Sequence, residues 1–219
     1  MAIGRVHLRK LLKLFMMKQN LRSTSIRADA KDVMRKQEGM TEGGGDFHVP
    51  FWSDAKAHAA GRLELHLATA HQIDKNWRRK NLYPRLQDGF LLWWNEKRRW
   101  INEGISELPK TVKSTFGFAD IGGVVKVENL LSLQIGDERL RYVYPDFSGR
   151  PALTPEYAQL GLWLMSKALH EHRIEDMRIL DVIRGEAYSI DKYPLSGNEE
   201  AVFTDRYRVI LSEWRTYLE

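Results

Sequence analysis

The segment from Tyr157 to Leu169 constrains this chain more than any other stretch. It follows Thr154-Pro155-Glu156, where threonine can cap a helix, proline suits the first helical position and glutamate meets the positive end of the helix dipole. The helix so begun is apolar on nearly every face, so it has to be buried against a sheet. Strand patterns flank it on both sides. Thr115 to Asp120 alternates apolar with small or polar positions, and after Gly122-Gly123 the run Val124 to Ile135 reads as a second strand. Gly136-Asp137 suits a hairpin turn, and Arg139 to Tyr144 alternates as a third strand. Beyond the buried helix, Arg178 to Ile183 with Ala187 to Ile190 gives a further strand, bent at Gly185. Upstream, Arg85 to Ile105 has a helical pattern, with Leu86, Phe90, Leu91, Trp93, Trp94, Trp100 and Ile101 apolar. A last helix starts near Ser196 or Asn198 and carries the stripe Phe203, Tyr207, Ile210, Trp214 and Leu218. The expected fold is therefore α/β (α+β): a three-to-four-stranded mixed sheet flanked by helices in the order α-β-β-β-α-β, with an N-terminal helical arm and a C-terminal helix.

Composition removes several function classes. With 219 residues, 43% of them hydrophobic, the chain is long enough for one well-filled core. It has no cysteine, which excludes disulfides, thiolate zinc sites, iron–sulfur clusters and cysteine nucleophiles. Mean hydropathy is −0.46, and no apolar run approaches the roughly 18 residues of a membrane span, so a soluble, cytoplasmic protein is expected.

Charge is distributed unevenly. Residues 1 to 36 hold ten Lys and Arg against Asp29 and Asp32, a net +8, whereas the remainder, with 24 basic and 27 acidic residues, is −3. Residues 1–38 read as a basic helical arm whose apolar stripe includes Leu8, Leu11, Leu12 and Phe15. Gly43-Gly44-Gly45 within 39–45 reads as a linker, because successive glycines resist confinement inside an element. Residues 46–219 then form one domain: a helical lead-in over 46–84 with Ser53 or Asp54 as a helix cap, a core over 85–190, and the C-terminal helix over 196–219. A basic amphipathic helix suits anionic lipid, nucleic acid phosphate or an acidic protein surface. Arg9, Lys10 and Lys13 in the arm, Arg78, Arg79 and Lys80 in a basic turn, and Arg98 and Arg99 are the candidate phosphate contacts. Seven tryptophans could include a base-stacking platform, and Trp52 and Trp77 are the two not assigned to core packing.

Familiar catalytic patterns are missing. There is no phosphate-binding Gly-x-x-x-x-Gly-Lys loop and no Gly-x-Ser-x-Gly elbow. His58, His66 and His71 with Glu64 lack the i, i+4 spacing of a helical zinc pair, and His170 and His172 lie on different helix faces. Asp29-Ala-Lys31 and Asp54-Ala-Lys56 are acid-x-Lys by spacing, but each falls where a helix begins or continues.

Residues 85 to 190 resemble the PD-(D/E)xK nuclease-like superfamily in its RecB-type members. The likeness rests on the element order, on the strand and loop Arg141 to Pro151, and on Gln159 and Trp163 four residues apart in the following helix. The resemblance implies a divalent ion, Mg²⁺ or Mn²⁺, held by two or three acids, with a lysine that orients or helps deprotonate water. Asp146 would be the second acid. Glu128 or Asn129 stands near the first, and Glu96 or Glu103 completes a three-acid set. Ser148 occupies the lysine's place, and Arg150 cannot act as a base. The primary reading is therefore a non-catalytic nucleic acid-associated or assembly module on a degenerate nuclease-like core, needing no cofactor. The alternative is a metal-dependent nuclease using Glu128, Asp146 and Glu96, with Lys126 as the displaced lysine.

Overall fold

A computed structural model describes residues 3–39, 47–97, 104–108 and 111–218. Along the chain these form β1 (Arg5–His7), α1 (Leu8–Met16), α2 (Gln19–Gln37), α3 (Val49–Ala59), α4 (Leu65–Lys75), α5 (Tyr83–Leu92), β2 (Ile105–Glu107), β3 (Ser114–Phe118), β4 (Gly123–Val127), β5 (Leu131–Ile135), β6 (Arg139–Asp146), α6 (Pro155–Ala168), β7 (Met177–Asp181), β8 (Glu186–Tyr188) and α7 (Glu199–Thr216). A short 3₁₀ turn, Trp77–Arg79, joins α4 to α5, and a π-helical turn, Trp93–Lys97, extends α5. The fold is α+β with mixed sheets. No helix among the described residues is long and apolar enough to cross a membrane.

The main sheet has five strands in the order β2-β5-β6-β7-β8. Its pairs are antiparallel except β6 with β7, which run parallel through the α6 crossover. The β5–β6 hairpin closes at Gly136-Asp137 with Ile135 opposite Arg139, as the turn chemistry leads one to expect. Helix α6 begins at Pro155 after Thr154, although the threonine side chain makes no capping hydrogen bond. Its apolar faces are buried between the sheet and helices α1 and α7.

Side-chain alternation along β6 gives the sheet two faces. Tyr142 and Tyr144 join the core formed with α1, α6 and α7, whereas Val143 joins the core formed with α3, α4 and α5. The second core is held close by glycine. A Cβ on Gly89 of α5 would lie 2.1 Å from the Val182 carbonyl oxygen, and one on Gly185, at φ +58°, would lie 2.5 Å from the Gly89 oxygen. Helix α5 therefore rests on the β7–β8 turn at backbone distance.

Several expectations are corrected. Val124 to Ile135 is two strands, because Asn129 takes a left-handed φ of 66° that asparagine tolerates, and the chain leaves one sheet for another there. Strand β4 belongs to a separate three-stranded sheet, β1-β4-β3. Ile105 lies in β2, not at the end of a helix. Gly185 turns a hairpin between β7 and β8 instead of bending one strand. Helix α3 starts at Val49 with Pro50 in its first turn, so neither Ser53 nor Asp54 caps it, and Asp54 instead accepts from Gln72 at 2.9 Å.

The basic arm is not a separate arm. Strand β1 pairs in parallel with β4, Arg5 opposite Val124. Leu8, Leu11 and Leu12 of α1 are fully buried in the α6–α7 core. An apolar stripe on a basic helix serves a domain core as well as it serves a detachable arm, and here it found its own domain. The inferred linker falls largely on residues 40–46, which lie outside the described residues.

Candidate functional site

The parallel strands β6 and β7 end with Asp146 directly opposite Asp181. Both carboxylates are buried, at 1% and 0% exposure. The Ser148 amide donates to one Asp146 oxygen at 3.0 Å and its hydroxyl to the other at 3.1 Å. Burial pushes the Asp146 carboxyl up to about 6, and the nearby Asp181 charge adds to the rise, while the Ser148 donors and Arg184 pull it down. Asp181 is held from the β7–β8 turn: the Arg184 amide reaches one oxygen at 3.1 Å and the guanidinium the other at 2.7 Å. The same guanidinium donates to the Ser148 and Gly149 carbonyls at 3.1 and 2.7 Å. Arg184 thus ties the loop after β6 to the acid at the end of β7.

Glu128 lies beyond the end of β4 and faces other partners. Its carboxylate is 3.2 Å from His7 Nδ1 and 3.7 Å from Lys126 Nζ. Lys126, the proposed displaced lysine, therefore rests against one acid. Glu128 and Asp146 both act on Tyr144, whose hydroxyl is pushed up to about 12, chiefly by complete burial. That hydroxyl accepts from the Arg9 amide at 3.0 Å, at the start of α1. Two histidines border this region. His7 is lowered to about 4 by burial and then by Arg9, and His48 is lowered to about 4 by burial and then by Arg9 and Lys13. The His48 ring stacks on Phe147 at 4.7 Å, and the Arg9 guanidinium lies 5.7 Å from the same ring.

The other positions singled out by the sequence are dispersed. Glu96 is exposed on the π-helical turn that begins at Trp93, whose indole packs with α3 to α5 across the sheet from Asp146. Gln159 donates to the Pro194 carbonyl, and Trp163 is buried against Phe116 and Phe203. Trp52 is buried and donates to the Asn129 carbonyl at 2.6 Å, so it is no stacking platform. Glu103, Arg98 and Arg99 lie outside the described residues. Among the described residues no three His, Asp or Glu side chains converge as ligands would. A catalytic ion needs accessible carboxylates with an open position, and an Asp146 that is buried and engaged at both oxygens by Ser148 does not fit that need.

The positive charge is laid out differently from the expectation. Lys10 pairs with buried Asp29, and only Lys13 of the three α1 candidates is exposed. The outward charge is carried by α2, where Arg27, Lys31 and Arg35 are exposed at i, i+4 and i+8 and so share one face. Helix α2 is fixed to α7 by Arg22 facing Glu213 at 3.7 Å and by Arg27 over the Tyr217 ring at 5.0 Å. In the α4–α5 turn Arg79 is turned inward, whereas Arg78 and Lys80 are exposed.

Sequence reasoning missed Asp181, Arg184, His48 and Tyr144 as neighbours of Asp146 and His7 as the partner of Glu128, along with the α2 stripe. A lone acid inside the apolar strand Ile179-Leu180-Asp181-Val182 was the available signal for Asp181, and the four-residue spacing of Arg27, Lys31 and Arg35 was the signal for α2. A scan against models of known protein families finds no match to this chain, and no curated protein matches it.

Proposed function

We propose that the chain is a nucleic acid-binding module on a nuclease-like core, in which the polar groups at the end of β6 and β7 hold the fold together and α2 contacts phosphate. The observation that carries this reading is the exposed stripe Arg27, Lys31 and Arg35. Successive members stand about 6 Å apart along the helix axis, a row of cations that a phosphodiester backbone can follow. The element order around β5, β6, α6 and β7 supports the nuclease-like description, and the engagement of Asp146 by Ser148 supports a structural use of that carboxylate.

Fluorescence anisotropy with labelled single- and double-stranded oligonucleotides tests the proposal. With three to five phosphates neutralised, affinity should fall roughly 20- to 130-fold for single strands and roughly 40- to 500-fold for duplex between about 50 and 200 mM salt. Lys31→Glu with Arg35→Glu should weaken binding while leaving the thermal melt unchanged. No binding at low salt, or binding indifferent to both salt and the double variant, would remove the reading. Incubation of the same substrates with Mg²⁺ or Mn²⁺ reads the nuclease alternative, and accumulation of cleaved product would establish it in place of this one.

A further inference from the structure

Trp77 is 68% exposed, an unusual position for so large an apolar ring. It sits in the 3₁₀ turn between α4 and α5, and the turn is held from below. Asn76 accepts from the Arg78 amide at 3.2 Å, Lys80 N donates to the Trp77 carbonyl at 3.1 Å, and Arg79 N donates to the Asn76 carbonyl at 3.0 Å. The Arg79 side chain turns inward, donating to the Gln72 backbone and side-chain oxygens at 3.1 and 2.5 Å and lying 5.2 Å from the Tyr83 ring centre. Gln72 in turn donates to Asp54 of α3 at 2.9 Å. This chain of contacts anchors the turn to three helices. What it leaves outside is the indole, with Arg78 and Lys80 exposed in the same turn and the Lys80 ammonium over the ring, 5.3 Å from its centre. Lys75 and Arg85 are also exposed at the borders of the turn, against Asp74 and Asp88.

A rigidly presented aromatic ring flanked by cations matches an unpaired base with its phosphates: the ring stacks on the base and the cations take the flanking charge. A paired base offers no free face to such a ring. We infer that the Trp77 turn is a contact for single-stranded nucleic acid, with Trp77 stacking on one unpaired base and Arg78 and Lys80 meeting the adjoining phosphates. This rests on the nucleic acid-binding reading and assigns the strand form.

The test uses the full chain with labelled oligo-dT, a duplex of the same length, heparin as a polyanion without bases, and vesicles containing phosphatidylserine. Trp77→Ala should weaken oligo-dT binding about tenfold and Trp77→Phe should restore most of it, with the duplex and heparin affinities changing less than about twofold. The residue is exposed, so both variants should melt with the native chain. An unchanged oligo-dT affinity in Trp77→Ala, equal losses for oligo-dT and heparin, or a loss seen only with vesicles would each overturn the inference while duplex binding kept the broader reading in place. Failure of both oligo-dT and duplex to bind the unaltered chain would remove the broader reading and this one together.

Discussion

Asp146 and Asp181 face each other in register on parallel neighbours, and the Arg184 guanidinium binds the second acid together with the loop that follows the first. Two buried carboxylates side by side repel when both are charged, so a counter-cation and a proton are the two ways to stabilise them. Arg184 is the cation for Asp181, and Asp146, raised to about 6, is the acid of the pair that takes up a proton as pH falls below neutrality.

Asp146 gives the first prediction. Its carboxyl sits at about 6 in the folded chain against an ordinary 3.8, so protonation favours the native state. The sign follows: stability from this group is fully present only below the ordinary value of 3.8 and is lost as pH rises through about 6, by roughly 3 kcal/mol in all. Asp146→Asn keeps the shape without the charge, and the Ser148 hydroxyl can rotate to accept from the new amide. Urea unfolding at pH 8 should find the variant at least as stable as the native chain. A variant less stable by more than about 2 kcal/mol at pH 8 would show that the ionised carboxylate is favourable where it lies.

His7 and His48 act in the opposite direction. Both are lowered to about 4 from an ordinary 6.5, so the unfolded chain binds their protons first and stability is lost as pH falls from about 6.5 toward 4. Two such groups outweigh the single opposing carboxyl, and the chain should unfold more readily at pH 4.5 than at pH 7. His48→Phe retains a ring against Phe147 and should remove part of that acid sensitivity, measured as the difference in urea midpoint between the two pH values. An unchanged difference would mean that His48 is protonated in the fold without penalty.

Legibility in the sequence followed the range of the forces involved. The β5–β6 hairpin, the start of α6 and the α7 stripe were all readable, because Gly136-Asp137, Thr154-Pro155 and the Phe203-to-Trp214 spacing act over a few residues. The break at Asn129 was hidden by apolar residues on both of its sides. Asp146 was legible as a candidate, but its partner depends on the register between β6 and β7, and its closure on an arginine from a turn 38 positions later. Likewise, whether the N-terminal stripe is an arm or a core element depends on α6 and α7, far along the chain, and no local pattern encodes that choice.

Arg184→Ala should leave Asp181 charged, buried and without its cation. Breaking one side of such a pair costs about 3–5 kcal/mol, more than loss of a surface contact, and the Ser148 and Gly149 carbonyls lose their donor as well. Arg184→Lys restores the charge but cannot span the carboxylate and two carbonyls at once, so it should fall between the two. Chemical denaturation of the three proteins at pH 7 checks the order. A cost for Arg184→Ala below about 1 kcal/mol would place the pair among surface ion pairs and undo the structural use assigned to the acids.

Leu12 decides whether the first 38 residues are a dispensable arm or part of the core. Its side chain is fully buried, and a Cβ added to Gly161 of α6 would come within 3.0 Å of a Leu12 methyl, so the two helices meet without slack. Leu12→Ala should therefore cost about 2–5 kcal/mol, the range for a large core side chain whose cavity cannot collapse. An arm that packs only when ligand is bound would show a change near zero in the free chain. Thermal unfolding of the free protein separates the two, because only a core helix transmits the loss to the cooperative transition of β4, α6 and α7 together.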